Sequence, residues 1–282
     1  MESIQSVFDM LWDVYARTNP TVIEIRKLLM QASYSSDPLD QTLSSSPPVT
    51  NDHIALRTLR HEGFGIDQLS APFKALGYEV SGHYHFQKKK LDAIHLECKS
   101  DPKAPKVFIS ELLIEELSEE TQSLLRYALI ERCAPTMNDV PLLAASGRHW
   151  GVPRYDTYER LLEESEYAAW FYVFGFIPNH FTVRVNDLSQ FEHISDLNAF
   201  LEVQGYQLNS SGGKIKGSPE LFLEQSSTLA DAAEISFVEG RYQVPSVFYE
   251  FAQRYKMPNG MEFSGFVEGN ADKIFESTNV RQ

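Results

Sequence analysis

The segments Asn51-Asp52-His53-Ile54-Ala55-Leu56-Arg57 and Asn179-His180-Phe181-Thr182-Val183-Arg184 share a His-x-x-x-Arg pattern within short, largely apolar runs. Each run predicts a β-strand. Farther along the chain, each is followed by a predicted helix that ends in a Gly-Tyr pair, at Gly77-Tyr78 and at Gly205-Tyr206. A glycine is typical of the position that follows a helix C-terminus. The repeated order indicates that a small β-rich module has been duplicated.

This duplication predicts an α+β fold in which two βαβββ modules, residues 51–114 and 176–256, form a central curved sheet or half-barrel. Residues 1–50 are predicted as a helical N-terminal segment with a loop from Ser35 to Thr50, residues 115–175 as an acidic helical insertion, and residues 257–282 as a C-terminal flap. The predicted elements of the modules are Asp52–Leu59, the helix Gly65–Gly77, Tyr78–Phe86, Leu91–Cys98 and Lys106–Leu113, then His180–Val185, the helix Ile194–Gly205, Tyr206–Asn209, Leu221–Ser226 or its neighbour Ala233–Phe237, and Ser246–Arg254.

The composition of the 282 residues is that of a folded protein with an acidic surface. Hydrophobic residues make up 43% of the chain, and the formal net charge is −14. Such a charge disfavours binding to nucleic acids or anionic membranes and makes inward-facing arginines informative about an acidic small-molecule ligand. Met1–Ile4 lacks the features of a secretory signal, and no apolar run has the length of a membrane span. We therefore expect a soluble, cytoplasmic protein, with Cys98 and Cys133 as buried thiols.

Side chains alternate across a strand, so His53 and His180 are expected on corresponding faces of the two modules. In the last strand of the second module, Glu250 shares its face with Phe248, where an unpaired carboxylate would be costly. Two histidines and one carboxylate are the ligands of the facial triad that non-haem Fe(II) oxygenases use. The pattern therefore predicts one divalent metal bound by His53, His180 and Glu250, with coordination positions left open.

Other side chains offer weaker alternatives for the metal. Val107-Phe108-Ile109-Ser110-Glu111 resembles Val247-Phe248-Tyr249-Glu250, but Glu111 follows its phenylalanine by three residues where Glu250 follows by two. This change of parity predicts that Glu111 points away from the shared cavity. The pairs His83/His85 and His95/Glu97 also share strand faces, but neither pair has a counterpart in the second module.

Arg57 and Arg184 share strand faces with the two histidines. Four strand residues span about 13 Å, so these guanidinium groups could meet the far end of a ligand several carbons long. The alternative is an ion pair with an acidic residue of the module, such as Glu97 or Glu111. The acidic residues of the helical insertion are expected on a solvated helix face. They are Glu119, Glu120, Glu163, Glu164 and Glu166.

At these residues the chain resembles the 2-oxoadipate dioxygenase/decarboxylase family, the hydroxyglutarate synthases, whose paired modules are similar to those of the vicinal-oxygen-chelate superfamily. The resemblance rests on the His53-x-x-x-Arg57 strand, on His180, on Glu250 in Phe248-Tyr249-Glu250-Phe251, and on the terminal segment from Asn270 to Ser277. It implies that the two histidines and the glutamate hold Fe(II) and that Arg57 binds a substrate carboxylate. It also implies that backbone around Gly269 and Asn270 contacts the substrate.

The implied reaction converts 2-oxoadipate to 2-hydroxyglutarate with release of CO₂, using dioxygen as the second substrate. No protein nucleophile is expected, because the chain contains no Gly-x-Ser-x-Gly motif. Two other hypotheses remain open: a non-redox Zn- or Mn-dependent hydrolase or isomerase of the same fold, and a metal-free protein that binds a small acid. The segment from Gly265 to Ser277 is expected to cover the metal cavity; the alternative is a tail that packs on a distant surface and serves stability alone.

Overall fold

The computed structural model describes residues 3–32, 49–133 and 142–278, so the predicted loop from Ser35 to Thr50 lies almost entirely outside the described residues. The described part of the chain alternates helices with strands. The helices are α1 Ile4–Thr18, α2 Thr21–Ala32, α3 Ile66–Ala75, α4 Glu119–Ala128, α5 Tyr155–Glu164, α6 Glu166–Phe174, α7 Ile194–Val203 and α8 Glu268–Ile274. The strands are β1 Asn51–Leu59, β2 Tyr78–Phe86, β3 Leu91–Cys98, β4 Lys106–Leu112, β5 Pro178–Arg184, β6 Lys216–Ser218, β7 Leu223–Ser227, β8 Ala232–Phe237, β9 Gly240–Pro245 and β10 Phe248–Arg254.

The two modules meet at the centre of one curled eight-stranded sheet with the order β2-β3-β4-β1-β5-β10-β7-β6. The first strands of the modules, β1 and β5, pair antiparallel to each other. Each also pairs in parallel with the last strand of its own module, β1 with β4 and β5 with β10. The second half of the sheet therefore repeats the first in mirror order. This arrangement confirms the predicted α+β fold built from two βαβββ modules.

The second module departs from the predicted elements after its helix. The strand predicted at Tyr206–Asn209 is wrong, because Leu208 makes only an isolated bridge to Thr228. The side chain of Asn209 accepts a hydrogen bond from the backbone N–H of Ser211 at 2.9 Å, and this local turn ends the extended run. The sheet instead takes up the short strand β6. Of the two candidates for the next strand, β7 lies in the sheet, whereas β8 pairs with β9 in a separate hairpin.

The two faces of the central strands have different roles. On one face, the ring of Phe181 packs 5.1 Å from Trp12 and 4.9 Å from Tyr15 of α1, measured between ring centroids. The hydroxyl of Tyr15 donates to the carbonyl of Phe248, which ties α1 to β10. Because neighbouring residues alternate across a strand, the opposite face carries His53 and His180. The concave face of the sheet is therefore available for a site. Within the described residues, no helix is both long and apolar enough to span a bilayer.

Candidate metal centre

His53, His180 and Glu250 lie together on three adjacent strands, β1, β5 and β10. All three are buried, and one ligand atom from each lies within 4.8 Å of the others. Nε2 of His53 is 3.6 Å from Oε1 of Glu250, and Nε2 of His180 is 3.0 Å from Oε2 of the same carboxylate. Among the residues that the structure describes, no second cluster of three such side chains is found.

Each histidine is oriented by the residue that precedes it. Nδ1 of His53 is 2.7 Å from a carboxylate oxygen of Asp52, and Nδ1 of His180 is 3.1 Å from the amide oxygen of Asn179. A carboxylate or amide oxygen can only accept, so each Nδ1 carries the proton and each Nε2 keeps its lone pair. Burial lowers the pKa of His180, which favours the neutral ring. Both imidazoles are thus prepared to bind a metal through Nε2.

The carboxylate of Glu250 is ionised and incompletely satisfied. Burial alone would raise the pKa of Glu250, but the electrostatic influence of the adjacent His180 and His53, together with the hydrogen bond from Gln225, outweighs it and holds the pKa below its ordinary value. Gln225 donates to Oε1 at 2.7 Å. Oε2 is buried and accepts no hydrogen bond of adequate geometry from the described residues. Two neutral imidazole nitrogens and an ionised, partly unpaired carboxylate form a donor set that fits a divalent transition metal.

The first module places Phe108 where the second places Glu250. Ala55, two residues after His53, pairs with Phe108 on β4. Thr182, two residues after His180, pairs with Glu250 on β10. The similar Phe-containing segments suggest that Glu111 corresponds to Glu250. The strand register shows instead that Phe108 corresponds to Glu250, so that alignment is wrong. Glu111 does point away from the cavity, since its carboxylate contacts Arg60 at 2.9 Å and accepts from the backbone N–H of Ile66 at 3.0 Å. At the position equivalent to Glu250, the first module therefore has the aromatic ring of Phe108 and no fourth metal ligand.

The cavity beside the three side chains is small and mostly apolar. Its volume is about 20 Å³, close to the room that one water needs. The C-terminal segment, residues 263–278, closes it on one side. The lining residues are His53, Phe108, His180, Gln225, Glu250, Phe266, Ala271, Ile274 and Phe275. A ligand of several carbons therefore needs more room than this cavity offers.

Arg57 lies buried among aromatic rings at the other end of β1. It is 1% exposed, and its guanidinium carbon lies 4.8 Å from the ring centre of Tyr167 and 5.0 Å from that of Trp170. NH2 donates to Oγ1 of Thr278 at 3.3 Å, but Nε and NH1 make no hydrogen bond to any residue that the structure describes. The nearest carboxylate oxygen belongs to Glu166, 3.7 Å from NH1. A buried guanidinium with two unpaired donors is the expected state of a residue that awaits an anion.

Glu166 is a member of this site that sequence reasoning placed elsewhere. The prediction of a solvated position was wrong, because its side chain is 13% exposed and accepts from Oγ1 of Thr278 at 2.8 Å. Burial raises the pKa of Glu166, against the lowering effects of Arg57 and Lys89. The acidic helix pattern gave no signal for this, since the first residue of α6 turns inward next to an otherwise apolar run.

The similarity of the whole chain to known proteins now bears on this site. A model of the 2-oxoadipate dioxygenase/decarboxylase family matches residues 7–263. The chain belongs to this family. A chloroplast family member from Arabidopsis thaliana, named 2-oxoadipate dioxygenase/decarboxylase, is 36% identical over 97% of this chain and 77% of its own length.

Solved structures of similar proteins match the family fold. The rice (Oryza sativa) hydroxyglutarate synthase, crystallised with 2-oxoadipate, superposes with a TM-score of 0.88 at 33% identity, over 98% of this chain and 92% of that one. A protein from Shewanella frigidimarina with a provisional hydrolase name superposes with a TM-score of 0.85 at 44% identity, over 95% and 99%. A glyoxalase-superfamily protein from Ralstonia eutropha, 22% identical with a TM-score of 0.62 over 80% and 78%, shares the fold. The vicinal-oxygen-chelate-like architecture is thus confirmed.

Three further residues predicted to bind substrate, Arg184 from the strand repeat and Gly269 and Asn270 from the family resemblance, lie outside the cavity lining. Arg184 is engaged by acidic residues, with NH2 2.6 Å from Glu262 and Nε 3.3 Å from Asp187. The ion-pair alternative therefore describes Arg184 better than a substrate clamp, although its partners differ from those expected. Gly269 is exposed in the first turn of α8. Asn270 is buried and donates to Oε1 of Gln225 at 3.1 Å, so it contacts Glu250 through an intermediary.

Sequence reasoning also missed the residues that surround the three central side chains. Asp52 and Asn179 could have been found, because an Asx residue precedes both histidines in the repeat. Gln225 carries no comparable signal, since it reaches the cavity only through the tertiary fold, whereas Phe266 lies in the segment that was expected to cover the cavity. The competing pair His95 and Glu97 lies 3.0 Å apart and forms an internal ion pair rather than a part of the central cluster.

Proposed function

We propose that the protein is an Fe(II)-dependent dioxygenase/decarboxylase that converts 2-oxoadipate to 2-hydroxyglutarate and CO₂. The observation that carries this proposal is the buried set of His53, His180 and Glu250 with Phe108 in place of a fourth ligand. Family membership and the 2-oxoadipate bound by the rice relative support the same assignment.

The three side chains would hold the metal through Nε2 of each histidine and the carboxylate of Glu250. When bound, Fe(II) supplies a redox-active Lewis acid at which a 2-oxo acid and dioxygen can react. The overall reaction balances as one 2-oxoadipate and one O₂ giving one 2-hydroxyglutarate and one CO₂. No protein nucleophile is required for this stoichiometry.

The chain's own residues have binding and shielding roles in this proposal. Arg57 lies on the same strand as His53 and would pair with the carboxylate at the far end of the substrate through its unpaired Nε and NH1. Phe108 and Phe266 line the cavity with apolar surface and would keep water from the reacting groups. The C-terminal segment would open to admit the substrate and then close again.

An oxygen-uptake assay tests the proposal. The metal-free protein is loaded anaerobically with Fe(II), exposed to oxygen with a panel of 2-oxo acids, and its products are identified by mass spectrometry. We expect uptake with 2-oxoadipate and a 1:1:1 ratio of O₂ consumed to CO₂ and 2-hydroxyglutarate formed. Glu250→Ala should abolish uptake, whereas Glu111→Gln, which changes a carboxylate outside the cavity, should retain it.

The same preparation separates the competing hypotheses. Turnover of an ester, amide or isomerisable acid by the Zn²⁺- or Mn²⁺-loaded protein without oxygen uptake would favour the non-redox enzyme. Stoichiometric binding of 2-oxoadipate by metal-free protein, with no turnover under any metal, would favour the binding protein. Either result would contradict the proposed oxygenase.

A further inference from the structure

Arg254, near the end of β10, is held in a fully buried ion pair with Asp52. Its Nε donates to one carboxylate oxygen at 2.6 Å and its NH2 donates to the other at 2.8 Å. Neither side chain is exposed to solvent. A two-pronged pair of this kind fixes the plane of the carboxylate as well as its position. The same carboxylate accepts the Nδ1 proton of His53 at 2.7 Å, so Arg254 determines how His53 is oriented.

The third nitrogen of Arg254 reaches in the opposite direction, to the C-terminal segment. NH1 donates to the carbonyl of Phe263 at 3.0 Å and to that of Gly265 at 2.8 Å. The guanidinium carbon also lies 5.3 Å from the ring centre of Phe266. That ring meets His53 edge-on, with the centroids 4.7 Å apart, and lines the cavity. One side chain therefore contacts both the residue that orients His53 and the backbone that closes over it.

The duplicated module offers an internal comparison. Arg254 follows Glu250 by four residues, and the corresponding residue after Phe108 is Leu112. Asn179, the partner of His180 that corresponds to Asp52, has a side-chain nitrogen with no hydrogen-bond partner among the described residues. The bidentate pair of Arg254 with Asp52 therefore occurs only beside His53, where the C-terminal segment packs. The second module forms the same fold around His180 without such a pair among the described residues.

We propose that Arg254 is a positioning residue that couples closure of the C-terminal segment to the orientation of His53 for metal binding. The inference rests on the proposed function only in taking His53 as a metal ligand. Coupling of this kind is reciprocal: a metal that fixes His53 also favours the closed segment, and the closed segment favours metal binding. Loss of the guanidinium removes the connection while leaving the three candidate ligands in place.

The test combines metal affinity with hydrogen exchange, using Co²⁺ as a spectroscopic probe in the full-length protein. In Arg254→Lys, which keeps the charge but cannot form the fork, we expect the Kd for Co²⁺ to rise about 10- to 100-fold. In the wild type, Co²⁺ should slow amide exchange across residues 263–278, and in Arg254→Lys this effect should be lost. Arg148→Lys is the matched control, since Arg148 binds the carbonyls of Gly151 and Val173 away from the site.

A second variant keeps the test decisive if Arg254→Lys folds poorly. Asp52→Asn still offers His53 an acceptor, as Asn179 does for His180, but cannot accept both prongs of the guanidinium. It should also lose the Co²⁺-dependent protection of the C-terminal segment. Wild-type Co²⁺ affinity and wild-type protection in these variants would overturn the coupling and leave the proposed function intact. Failure of the wild type itself to bind Co²⁺ would contradict the metal site and the coupling together.

Discussion

Arg57 is buried in a setting that costs stability unless an anion binds there. Two of its nitrogens, Nε and NH1, make no hydrogen bond within the described part of the chain, and each buried unpaired donor costs about 1–3 kcal/mol. Burial lowers the pKa of Arg57, and the opposing effect of Glu166 at 3.7 Å only partly offsets this. The rings of Tyr167 and Trp170 add cation–π attraction but leave the in-plane donors free. A carboxylate ligand would satisfy those donors directly.

Replacing Arg57 with Lys should weaken binding of the dicarboxylate without removing the metal. We expect KM for 2-oxoadipate to rise about 10- to 100-fold, because an ammonium group cannot reproduce a bidentate contact. Turnover of 2-oxohexanoate, which lacks the far carboxylate, should change little. Steady-state kinetics on protein of verified iron content gives both values.

Arg60→Lys is the matched control for this change, since Arg60 follows β1 closely but pairs at the surface with Asp92 and Glu111. Equal loss of activity toward the two substrates in Arg57→Lys would show that the residue acts on something other than the far carboxylate.

Strand register decides how many protein ligands the centre has. Phe108 on β4 occupies the place that Glu250 occupies on β10. Phe108→Glu should supply a second carboxylate from the pseudo-symmetric position. We expect Co²⁺ to bind more tightly and oxygen uptake to fall on the order of 100-fold, because catalytic metal sites depend on open positions.

Phe108→Leu controls for the loss of the aromatic ring and should retain most of the oxygen uptake. If folded Phe108→Glu bound Co²⁺ no more tightly than the wild type, the new carboxylate would not reach the metal. Equivalent strand positions would then not imply equivalent side-chain positions.

Strand β3 carries an ion pair with a defined pH signature. The hydrogen bond from His95, opposed by partial burial, lowers the pKa of Glu97 from 4.5 to about 2. A carboxyl group whose folded pKa is depressed adds stability above its ordinary pKa and loses it as the pH falls from about 4.5 toward 2. Glu97→Gln should therefore destabilise the protein at pH 6, by about 1 kcal/mol or less given its partial exposure, and have little effect near pH 2.

Urea unfolding at several pH values measures this difference. Glu192→Gln, at an exposed position, provides a control with no expected pH signature. A constant difference between wild type and Glu97→Gln across the whole pH range would contradict the ion-pair assignment.

The elements that sequence predicted well are those with strong periodic patterns. β2 and β3 have the predicted bounds, and the central pair β1 and β5 follows from the repeated His-x-x-x-Arg segments. Strand β8 was predicted only as an alternative to β7, and β6 and β9 were not predicted, because the residues of these strands are mostly exposed or partly exposed and pack little apolar surface.

The residues of the candidate site were predictable only where a local sequence pattern identified them. His53 and His180 stand out through the repeat, and Glu250 through a carboxylate on an apolar strand. Phe108 was assigned the wrong counterpart, because a local Phe match competed with a pairing register that only the folded sheet reveals. Glu166 and Arg254 act across long sequence separations, which no local pattern encodes.

In the molecule as a whole, the C-terminal segment closes one side of the cavity. Phe266 and Phe275 are buried against the sheet, and the cavity beneath them has a volume of about 20 Å³. Deleting residues 265–282 should leave a folded protein that, at saturating iron, consumes oxygen slowly or without matching product. Oxygen uptake and 2-hydroxyglutarate are measured in parallel, with circular dichroism as the folding control. Unchanged, fully coupled turnover after the deletion would rule out a covering role.

We expect one iron to bind between the two modules through His53, His180 and Glu250. The most direct measurement is the crystal structure of anaerobically Fe(II)-loaded protein, with anomalous diffraction data collected at the iron absorption edge. We expect a single strong anomalous peak about 2.0–2.2 Å from Nε2 of both histidines and from a carboxylate oxygen of Glu250. Stoichiometric iron whose anomalous peak lies elsewhere, or an Nε2 of either histidine that does not face the peak, would contradict it.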